Sequence, residues 1–511
     1  MRSLRLLCMG LPLIGLGGCI TNPITGETEL GWVSTEQQIA IGTQQYVPSQ
    51  QMQGGQFVAD AELVAYVTQV GNRVSAKSPA RLPYEFVILN NPVPNAWALP
   101  GGKIAVNRGL LLEMKNEAEL AAVLGHEVIH AAGRHGAEAM ERGMLLQGAM
   151  LAAAVGAQTT EYGGMVMQGA MVGAQLITQR YGRDAEREAD FYGTRMLAEA
   201  GYDPQAAVTL QETFLRLSGE KQTDFIQGLF ASHPPSAERV ANNKGLVRTL
   251  RSEGYTNGEF GADRYQAALR GLRQAEPAYK AFDEAQAALS ADKPDEALSK
   301  VNEALRLYPS EPSFHGLRGD IRQTQKRYKD ALTNYDRAIG IQDNLFSLYL
   351  SRGLAHVALA NSDAAKADLT ASAKLLPTAV ALNELGKIAE AQGDQATAIK
   401  YYEAAAASRS ESGQAALVSL LRLDLANSPQ KYIQAELARD AQGVIMRVSN
   451  RTSSDLYDVE IQVDLDWASG IERVTPRLQQ IPARSSKIIR ISTRSEQLRA
   501  FRAQPLGARV K

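Results

Sequence analysis

The clearest pattern in the chain is a run of apolar positions at helical spacing between residues 116 and 132. The apolar members lie three or four residues apart, as one face of a buried helix requires, and they are Leu120, Val123, Leu124, Val128 and Ala131. Asn116 precedes acidic residues of the first turn, where a cap and negative charge both stabilise a helix. The pattern therefore predicts a capped and mostly buried α-helix.

A second helix is predicted from residue 183 onward, where charged residues are interspersed with apolar ones. Its apolar positions again follow helical spacing, and they are Phe191, Tyr192, Met196 and Leu197. The intervening segment 144–177 is rich in methionine, glycine and alanine, and its apolar runs are too short to span a bilayer. Two interpretations of this segment stay open: core helices under a loop, or a lid that contacts substrate.

Two short segments, 84–89 and 103–106, are predicted to be β-strands. The first is rich in β-branched and aromatic residues, and the second follows a Pro-Gly-Gly turn. A strand beside the predicted helix could bind an extended peptide through backbone hydrogen bonds, with little sequence preference. A purely structural hairpin is the alternative.

The first predicted helix carries His126-Glu127-Val128-Ile129-His130, and the chain contains 6 histidines in 511 residues. Positions four apart lie on one helical face, so His126 and His130 can bind the same metal ion. Zinc accepts neutral imidazoles and tolerates the open coordination that catalysis needs. Glu127 is placed to take a proton from an attacking water rather than to bind the metal. The motif predicts a metallopeptidase site with one zinc per chain.

Three residues compete for the role of third ligand. His135 comes one residue early for the longer three-histidine motif, in which Gly136 occupies the required position. Glu186 and Asp190 share a face of the second helix, so Glu186 could bind zinc while Asp190 orients a ligand histidine. Glu188 fits only if that helix is rotated. We predict that Glu186 is the ligand and Asp190 its supporting residue.

His233 lies in a proline-rich loop and has two possible roles at the metal. It could stabilise the oxyanion of the tetrahedral intermediate, or it could bind zinc as a fourth ligand and hold the enzyme latent. A surface or helix-capping role is the alternative. The sequence does not separate these possibilities.

Four motifs together resemble the gluzincin peptidases related to the CAAX prenyl endopeptidase, in particular periplasmic members with a tetratricopeptide tail. They are the His126–His130 motif, Glu186-x-x-x-Asp190, Ser232-His233-Pro234-Pro235-Ser236-x-x-Arg239, and the segment 95–104. The resemblance covers about residues 20–265 and departs at Trp97, where many relatives carry phenylalanine. It implies a zinc endopeptidase with ligands His126, His130 and Glu186 and with Glu127 as the base.

The N-terminus resembles a bacterial lipoprotein signal. Arg2 and Arg5 precede an apolar run that ends in Leu16-Gly17-Gly18-Cys19, and the run is too short for a transmembrane helix. We expect cleavage after residue 18 and acylation of Cys19. Ile20, which is not aspartate, favours the outer membrane by the same resemblance. If Cys8 is removed and Cys19 acylated, no thiol is left for a disulfide.

A repeat of about 34 residues begins after the predicted peptidase domain. Ala297, Ala331 and Ala365 recur at intervals of 34, and Ala398 follows 33 residues later. A larger residue holds an equivalent later position in three units, as Tyr335, Leu369 and Tyr402. This period, with small residues where helices cross, predicts three to four tetratricopeptide hairpins that could bind a peptide or a partner protein.

From residue 432 the hydrophobic pattern changes to period two. The segments 444–448, 459–465 and 487–491 alternate apolar and polar residues and are separated by turn-forming residues. About 80 residues of this kind predict a small β-sandwich. We expect it to act in docking or spacing, because it carries no catalytic constellation.

The length of 511 residues fits about three domains. The predicted class is α+β multidomain: a signal peptide (1–18), a mainly helical zinc peptidase domain with a small sheet (19–265), tetratricopeptide repeats (275–412) and the β-sandwich (432–511). The formal net charge of −1 gives no reason to expect a nucleic acid partner.

Two functions follow from these patterns. The first is a periplasmic zinc endopeptidase, anchored to the outer membrane by lipid, that degrades misfolded or stalled envelope proteins. The second is an assembly factor for outer-membrane proteins, in which the repeats bind the assembly machinery and the metal site is regulatory or vestigial. Glu127 favours the first, because a scaffold has no need of a base beside two zinc ligands.

Overall fold

The computed structural model describes residues 18–151, 181–219, 232–492 and 497–510. The apolar run of the predicted signal peptide and most of the methionine-rich segment (152–177) lie outside the described residues. Within them, no helix is long and apolar enough to cross a membrane. The described residues divide into two compact units, one holding those up to 321 together with 337–345, and the other holding 322–336 and those from 346 onward.

The first unit is mainly helical. Its helices up to residue 268 are α1 (Thr35–Met52), α2 (Ala61–Ser75), α3 (Arg108–Glu113), α4 (Glu117–Ala132), α5 (His135–Leu151), α6 (Arg183–Glu199), α7 (Gln205–Gly219), α8 (Ala237–Ser252) and α9 (Ala262–Ala268). Both helices predicted from apolar spacing are present, as α4 and α6. The Asn116 side chain accepts a hydrogen bond from the Glu119 amide, so the predicted cap of α4 is confirmed.

Among the described residues of the peptidase region there are also five strands. β1 (Gly18–Thr21) and β2 (Thr28–Gly31) form an antiparallel hairpin, and β3 (Glu85–Leu89), β4 (Ala96–Leu99) and β5 (Lys103–Asn107) form a sheet of order β3-β5-β4. β3 and β5, the two predicted strands, pair in parallel, so they do not form a hairpin. The sequence analysis missed β4, which pairs antiparallel with β5 and is buried along its length.

Helices α4 and α6 pack closely because glycines lie at their crossing. A Cβ added at Gly193 of α6 would lie 3.2 Å from the backbone nitrogen of His126, so only hydrogen fits comfortably there. Gly125 lies on the α4 side of the same crossing, where an added Cβ would lie 3.4 Å from the Gly193 carbonyl oxygen. This close approach brings the acidic start of α6 to the histidines of α4.

The core of the first unit continues into the next helices of the chain. These are α10 (Arg270–Ser290), α11 (Pro294–Leu307) and α12 (Pro312–Thr324), and their buried residues as far as Ile321 join the core of α2, α4 and the sheet. Glu311, which is 1% exposed, accepts hydrogen bonds from the Asn90 amide at 3.0 Å and the Tyr279 hydroxyl at 2.5 Å. Arg108 stacks 3.6 Å from the Tyr279 ring centre. The α10–α11 hairpin is therefore an integral part of this unit.

The repeat pattern corresponds to a series of helical hairpins. After α12, the helices are α13 (Tyr328–Ile341), α14 (Phe346–Ala358), α15 (Ser362–Leu375), α16 (Ala379–Ala391), α17 (Gln395–Ala406), α18 (Glu411–Asp424) and the short α19 (Pro429–Tyr432). The four periodic alanines occupy the fourth position of α11, α13, α15 and α17, and each is fully buried. Small residues at these positions let paired helices approach, as the period predicts.

In the described part of the C-terminal region, seven strands follow in the second unit. They are β6 (Ile433–Asp440), β7 (Gly443–Asn450), β8 (Leu456–Trp467), β9 (Gly470–Val474), β10 (Arg477–Ile481), β11 (Ser486–Ser492) and β12 (Leu498–Arg509). One sheet has the order β10-β8-β12 with β9 also paired to β8, and the other has the order β11-β7-β6. Inward side chains of β7 and β8 share one core, so the predicted β-rich region is confirmed. Strands β6, β9, β10 and β12 were not predicted.

Candidate metal centre and active site

His126 and His130 present their side chains on the same face of α4, as their spacing predicts. Their Nε2 atoms lie 3.0 Å apart, and His130 is only 1% exposed. Two ring nitrogens approach this closely only when a proton or a metal ion lies between their lone pairs. Burial lowers the pKa of His130 well below its usual range, which keeps the imidazole neutral, as a metal ligand must be.

Glu186, in the first turn of α6, faces both histidines. Its Oε1 atom lies 3.3 Å from His130 Nε2, and its Oε2 atom lies 3.6 Å from His126 Nε2. Burial by itself would raise the pKa of Glu186, but the neighbouring His233 and the hydrogen bonds from His130 and His233 hold it well below its usual range. The carboxylate is therefore ionised and available to a cation.

His233 completes the cluster from the loop that precedes α8. Its Nδ1 atom lies 2.8 Å from Glu186 Oε1 and 3.3 Å from His126 Nε2. His126, His130, Glu186 and His233 each offer one ligand atom, and these atoms all lie within 4.8 Å of one another. Three imidazoles and one carboxylate are ligands that zinc prefers, so the residues present fit a zinc ion.

Glu127 lies beside the cluster without joining it. Its side chain is buried, with Oε1 3.5 Å from His233 Nε2, and Oε2 has no hydrogen-bond partner among the described residues. Burial raises the pKa of this carboxyl group, which makes its ionised form a stronger base. A buried carboxylate with a free oxygen at this position can accept a proton from water at the cluster.

Asp190 supports His126 from the outer side, one turn after Glu186 on α6. Its Oδ1 atom lies 3.2 Å from His126 Nδ1. The imidazole can therefore donate a hydrogen bond from Nδ1 to Asp190 while its Nε2 atom faces the cluster. Arg239 of α8 donates to both Asp190 oxygens at 2.7 Å, and its Nη1 atom lies 2.7 Å from Glu186 Oε2. One guanidinium thus fixes both acidic residues of α6.

The three candidates for the third ligand occupy different places. Glu186 lies in the ligand cluster, whereas His135 and Glu188 lie outside it. His135 instead contacts the outer nitrogen of His130, and Glu188 contacts His135. The structure thus brings Glu127, Glu186, Asp190 and His233 to one place from three separate parts of the chain.

Two residues of the site were assigned no role from the sequence. Arg239 belongs to one of the four motifs on which the family resemblance rests. Its position three residues after Ser236, the N-cap of α8, could have indicated that it lies near the His233 loop. The Tyr181 ring stacks on His130 with 3.9 Å between ring centres. No feature of the sequence around Tyr181 pointed to it, because this contact depends on the tertiary fold.

An apolar recess opens beside Glu127. Its apolar lining comes from α4, α6 and α7, and includes Ala122, Val123, Ala189, Leu210 and Phe214. His126 and His233 lie at the same recess, so a side chain placed there would lie next to the cluster. An apolar pocket with a few polar groups at one end is typical of a substrate-binding site.

Comparison with known proteins assigns two parts of the chain. Residues 61–247 match the model of peptidase family M48, and 282–344 and 350–415 match the tetratricopeptide repeat. The mitochondrial metalloendopeptidase OMA1 of Arabidopsis thaliana is 30% identical over 42% of this chain and 44% of its own length. A putative beta-barrel assembly-enhancing protease of Vibrio cholerae is 28% identical over 48% of this chain and 52% of its own length.

The beta-barrel assembly-enhancing protease of Escherichia coli K12 is 26% identical over 65% of this chain and 74% of its own length. The chain spans about half the length of the other two relatives. The M48 match includes the helices that carry His126, His130, Glu186 and Asp190, together with the His233 loop. Residues 61–247 therefore match a peptidase M48 domain, and tetratricopeptide repeats follow it in the chain.

Proposed function

We propose that this protein is a zinc-dependent endopeptidase of the bacterial cell envelope. The observation that carries the proposal is the cluster of His126, His130 and Glu186, with the unpaired carboxylate oxygen of Glu127 beside it. His126, His130 and Glu186 hold the metal, and Asp190 orients His126. The sequence similarity to named metalloendopeptidases supports this chemistry.

When bound, zinc supplies Lewis-acid polarisation of the scissile carbonyl and lowers the pKa of water. Glu127 accepts a proton from the attacking water on its free Oε2 and then delivers it to the leaving amine nitrogen. Arg239 holds Glu186 and Asp190 in place, so the ligand atoms need little rearrangement during the reaction. The apolar recess accepts a substrate side chain next to the scissile bond.

His233 holds the site in a latent state in this proposal. Its Nδ1 atom lies among the ligand atoms, 3.3 Å from His126 Nε2 and 2.8 Å from Glu186 Oε1. A residue that only stabilises an oxyanion needs to donate a hydrogen bond from the substrate side, and does not need to contact the ligands themselves. Pro234 and Pro235 restrict the backbone just after His233. This stiffness helps to keep the His233 side chain at the ligand atoms.

The substrates are misfolded or stalled envelope proteins. The repeats offer helical hairpins of the kind that bind extended peptides and partner proteins, and one hairpin, α10–α11, shares a core with the peptidase region. Relatives named beta-barrel assembly-enhancing proteases favour a role near outer-membrane assembly. The competing function is a scaffold whose metal site is regulatory, and Glu127 argues against it.

Metal removal tests the proposed activity. We expect the purified mature protein to cleave casein, to lose all measurable cleavage when a chelator removes the ion, and to recover it when zinc alone is added back. The reason is that the ion supplies the polarisation that no side chain at the site replaces. Binding of casein without cleavage, at equal zinc content, would support the scaffold instead.

The protein is proposed to reside in the periplasm, attached to the outer membrane by a lipid on Cys19. The support is the charged start, short apolar run and Leu16-Gly17-Gly18-Cys19 ending of the N-terminus. Acylation at Cys19 would place the anchor next to the β1–β2 hairpin, since Cys19 lies in β1 and pairs with Leu30.

Replacing Cys19 by alanine tests the anchor. We expect Cys19→Ala to lose the lipid and to leave the outer-membrane fraction, because alanine offers no sulfur for acylation. Membrane fractionation and the mass of the N-terminal peptide measure both effects, with Cys8→Ala as the matched control that keeps the acylation site. A Cys19→Ala protein that still fractionates with the outer membrane would contradict the lipoprotein assignment.

A further inference from the structure

The two histidines of the metal motif are supported in different ways on their outer sides. His126 Nδ1 faces a carboxylate directly, the Oδ1 atom of Asp190 at 3.2 Å. His130 Nδ1 faces another imidazole, with His135 Nδ1 at 2.8 Å. His135 in turn places its Nε2 atom 3.3 Å from Glu188 Oε1. The support of His130 is therefore a chain of two residues instead of one.

In the series His130, His135 and Glu188, the protons have only one arrangement that leaves Nε2 of His130 free for a metal. A metal-binding imidazole is neutral, so its proton lies on Nδ1 and is donated to Nδ1 of His135. His135 must then accept on Nδ1 and carry its own proton on Nε2. Glu188 Oε1 is the acceptor for that proton. The carboxylate thereby sets the tautomer of both rings.

Burial keeps water from replacing these contacts. His130 is 1% exposed and His135 is 3% exposed, so neither outer nitrogen has solvent as a ready partner. The same oxygen, Glu188 Oε1, also accepts a hydrogen bond at 3.4 Å from Nδ2 of Asn22, which is 1% exposed. The chain of contacts thus ends in the turn between β1 and β2.

Gly133 provides an independent observation for the same arrangement. A Cβ added at Gly133 would lie 2.7 Å from Glu188 Oε1, 3.0 Å from His135 Nε2 and 3.1 Å from the Ile129 carbonyl oxygen, so the Glu188 carboxylate would have to move away. The φ angle of Gly133 is −77°, which any residue can adopt, so the backbone itself does not require glycine. The space beside α4 is occupied by the Glu188–His135 contact.

We propose that His135 and Glu188 are positioning residues of the zinc site, which fix the tautomer and ring orientation of His130 and so set the affinity for the metal. This rests on the proposed zinc site at His126, His130 and Glu186. Outer partners of ligand histidines change metal affinity by about 10- to 100-fold when they are removed. The same effect is expected here, although neither residue touches the ion.

Zinc affinity, measured by competition with a chromophoric chelator, tests the proposal without reference to activity. We expect Glu188→Ala and His135→Phe to weaken zinc binding by about 10- to 100-fold. His135→Asn should recover much of the loss, because its Oδ1 atom can accept the proton of His130 Nδ1 while phenylalanine cannot. Glu199→Gln, an exposed position on the same helix α6, is the matched control and should bind zinc as the parent does.

A second variant and a second measurement distinguish positioning from general folding. Gly133→Ala should weaken zinc binding as Glu188→Ala does, since its methyl group displaces the same contact. The melting temperature of the metal-free proteins should change much less than the zinc affinity. Equal zinc affinity in the parent, Glu188→Ala and His135→Phe would overturn this inference but not the proposed function. Equal zinc affinity of His135→Asn and His135→Phe would do the same. A parent that binds no zinc would overturn the proposed function.

Discussion

Glu127→Gln is expected to abolish casein cleavage while leaving zinc bound. The amide cannot accept a proton from water, and the loss of a general base lowers turnover by about 10²- to 10⁴-fold. The ligands His126, His130 and Glu186 are unchanged, so zinc content should match that of the parent. The side chains are nearly isosteric, and the buried site should keep its shape. Turnover and zinc content of the same preparations are the measurements.

Two further variants serve as comparisons for Glu127→Gln. Glu127→Asp retains a carboxylate but withdraws it by one methylene, so we expect turnover between that of the parent and the glutamine variant. Glu199→Gln makes the same chemical change at an exposed position of α6 and should cleave as the parent does. A Glu127→Gln protein that cleaves casein at the parental rate would exclude Glu127 as the base.

His233→Ala is expected to raise basal proteolysis and to produce self-cleavage during purification. In the structure Nδ1 of His233 lies among the ligand atoms, and its removal opens that position to water and substrate. A tenfold rise would mean that the latent arrangement is favoured by about 1.4 kcal/mol. Zinc affinity should fall at the same time, because one imidazole donor is lost. Casein turnover per bound zinc is the quantity to compare.

The opposite outcome would assign His233 a different role. If its ring stabilises the oxyanion, the alanine variant should lose about 10²- to 10³-fold in turnover with zinc still bound. Turnover equal to that of the parent would make His233 a structural loop residue. His356→Ala, a partly buried histidine of α14 outside the M48 match, is the matched control for the loss of an imidazole.

Helices, and the site residues that they carry, could be predicted from the sequence where the hydrophobic periodicity is strong. The spacing of apolar residues identified α4 and α6, and the 34-residue period identified positions that are fully buried in α11, α13, α15 and α17. Helical spacing is a local property of the backbone, so it can be recognised in the sequence without knowledge of the tertiary contacts. Strands were less accessible: β4 and four strands of the C-terminal region were missed, since strand pairing depends on distant residues.

The sequence by itself determined that one helix carries two histidines and a glutamate on the faces a metallopeptidase needs. It also narrowed the third ligand to His135, Glu186 and Glu188, and it favoured Glu186 because Glu186 and Asp190, four residues apart, share a helical face. Only the tertiary structure decided how distant segments meet. The close glycine crossing of α4 and α6 brings Glu186 to both histidines, and the loop before α8 adds His233. Likewise, the contact of His135 with Nδ1 of His130 depends on side-chain directions beyond the end of α4, which spacing along the chain does not define.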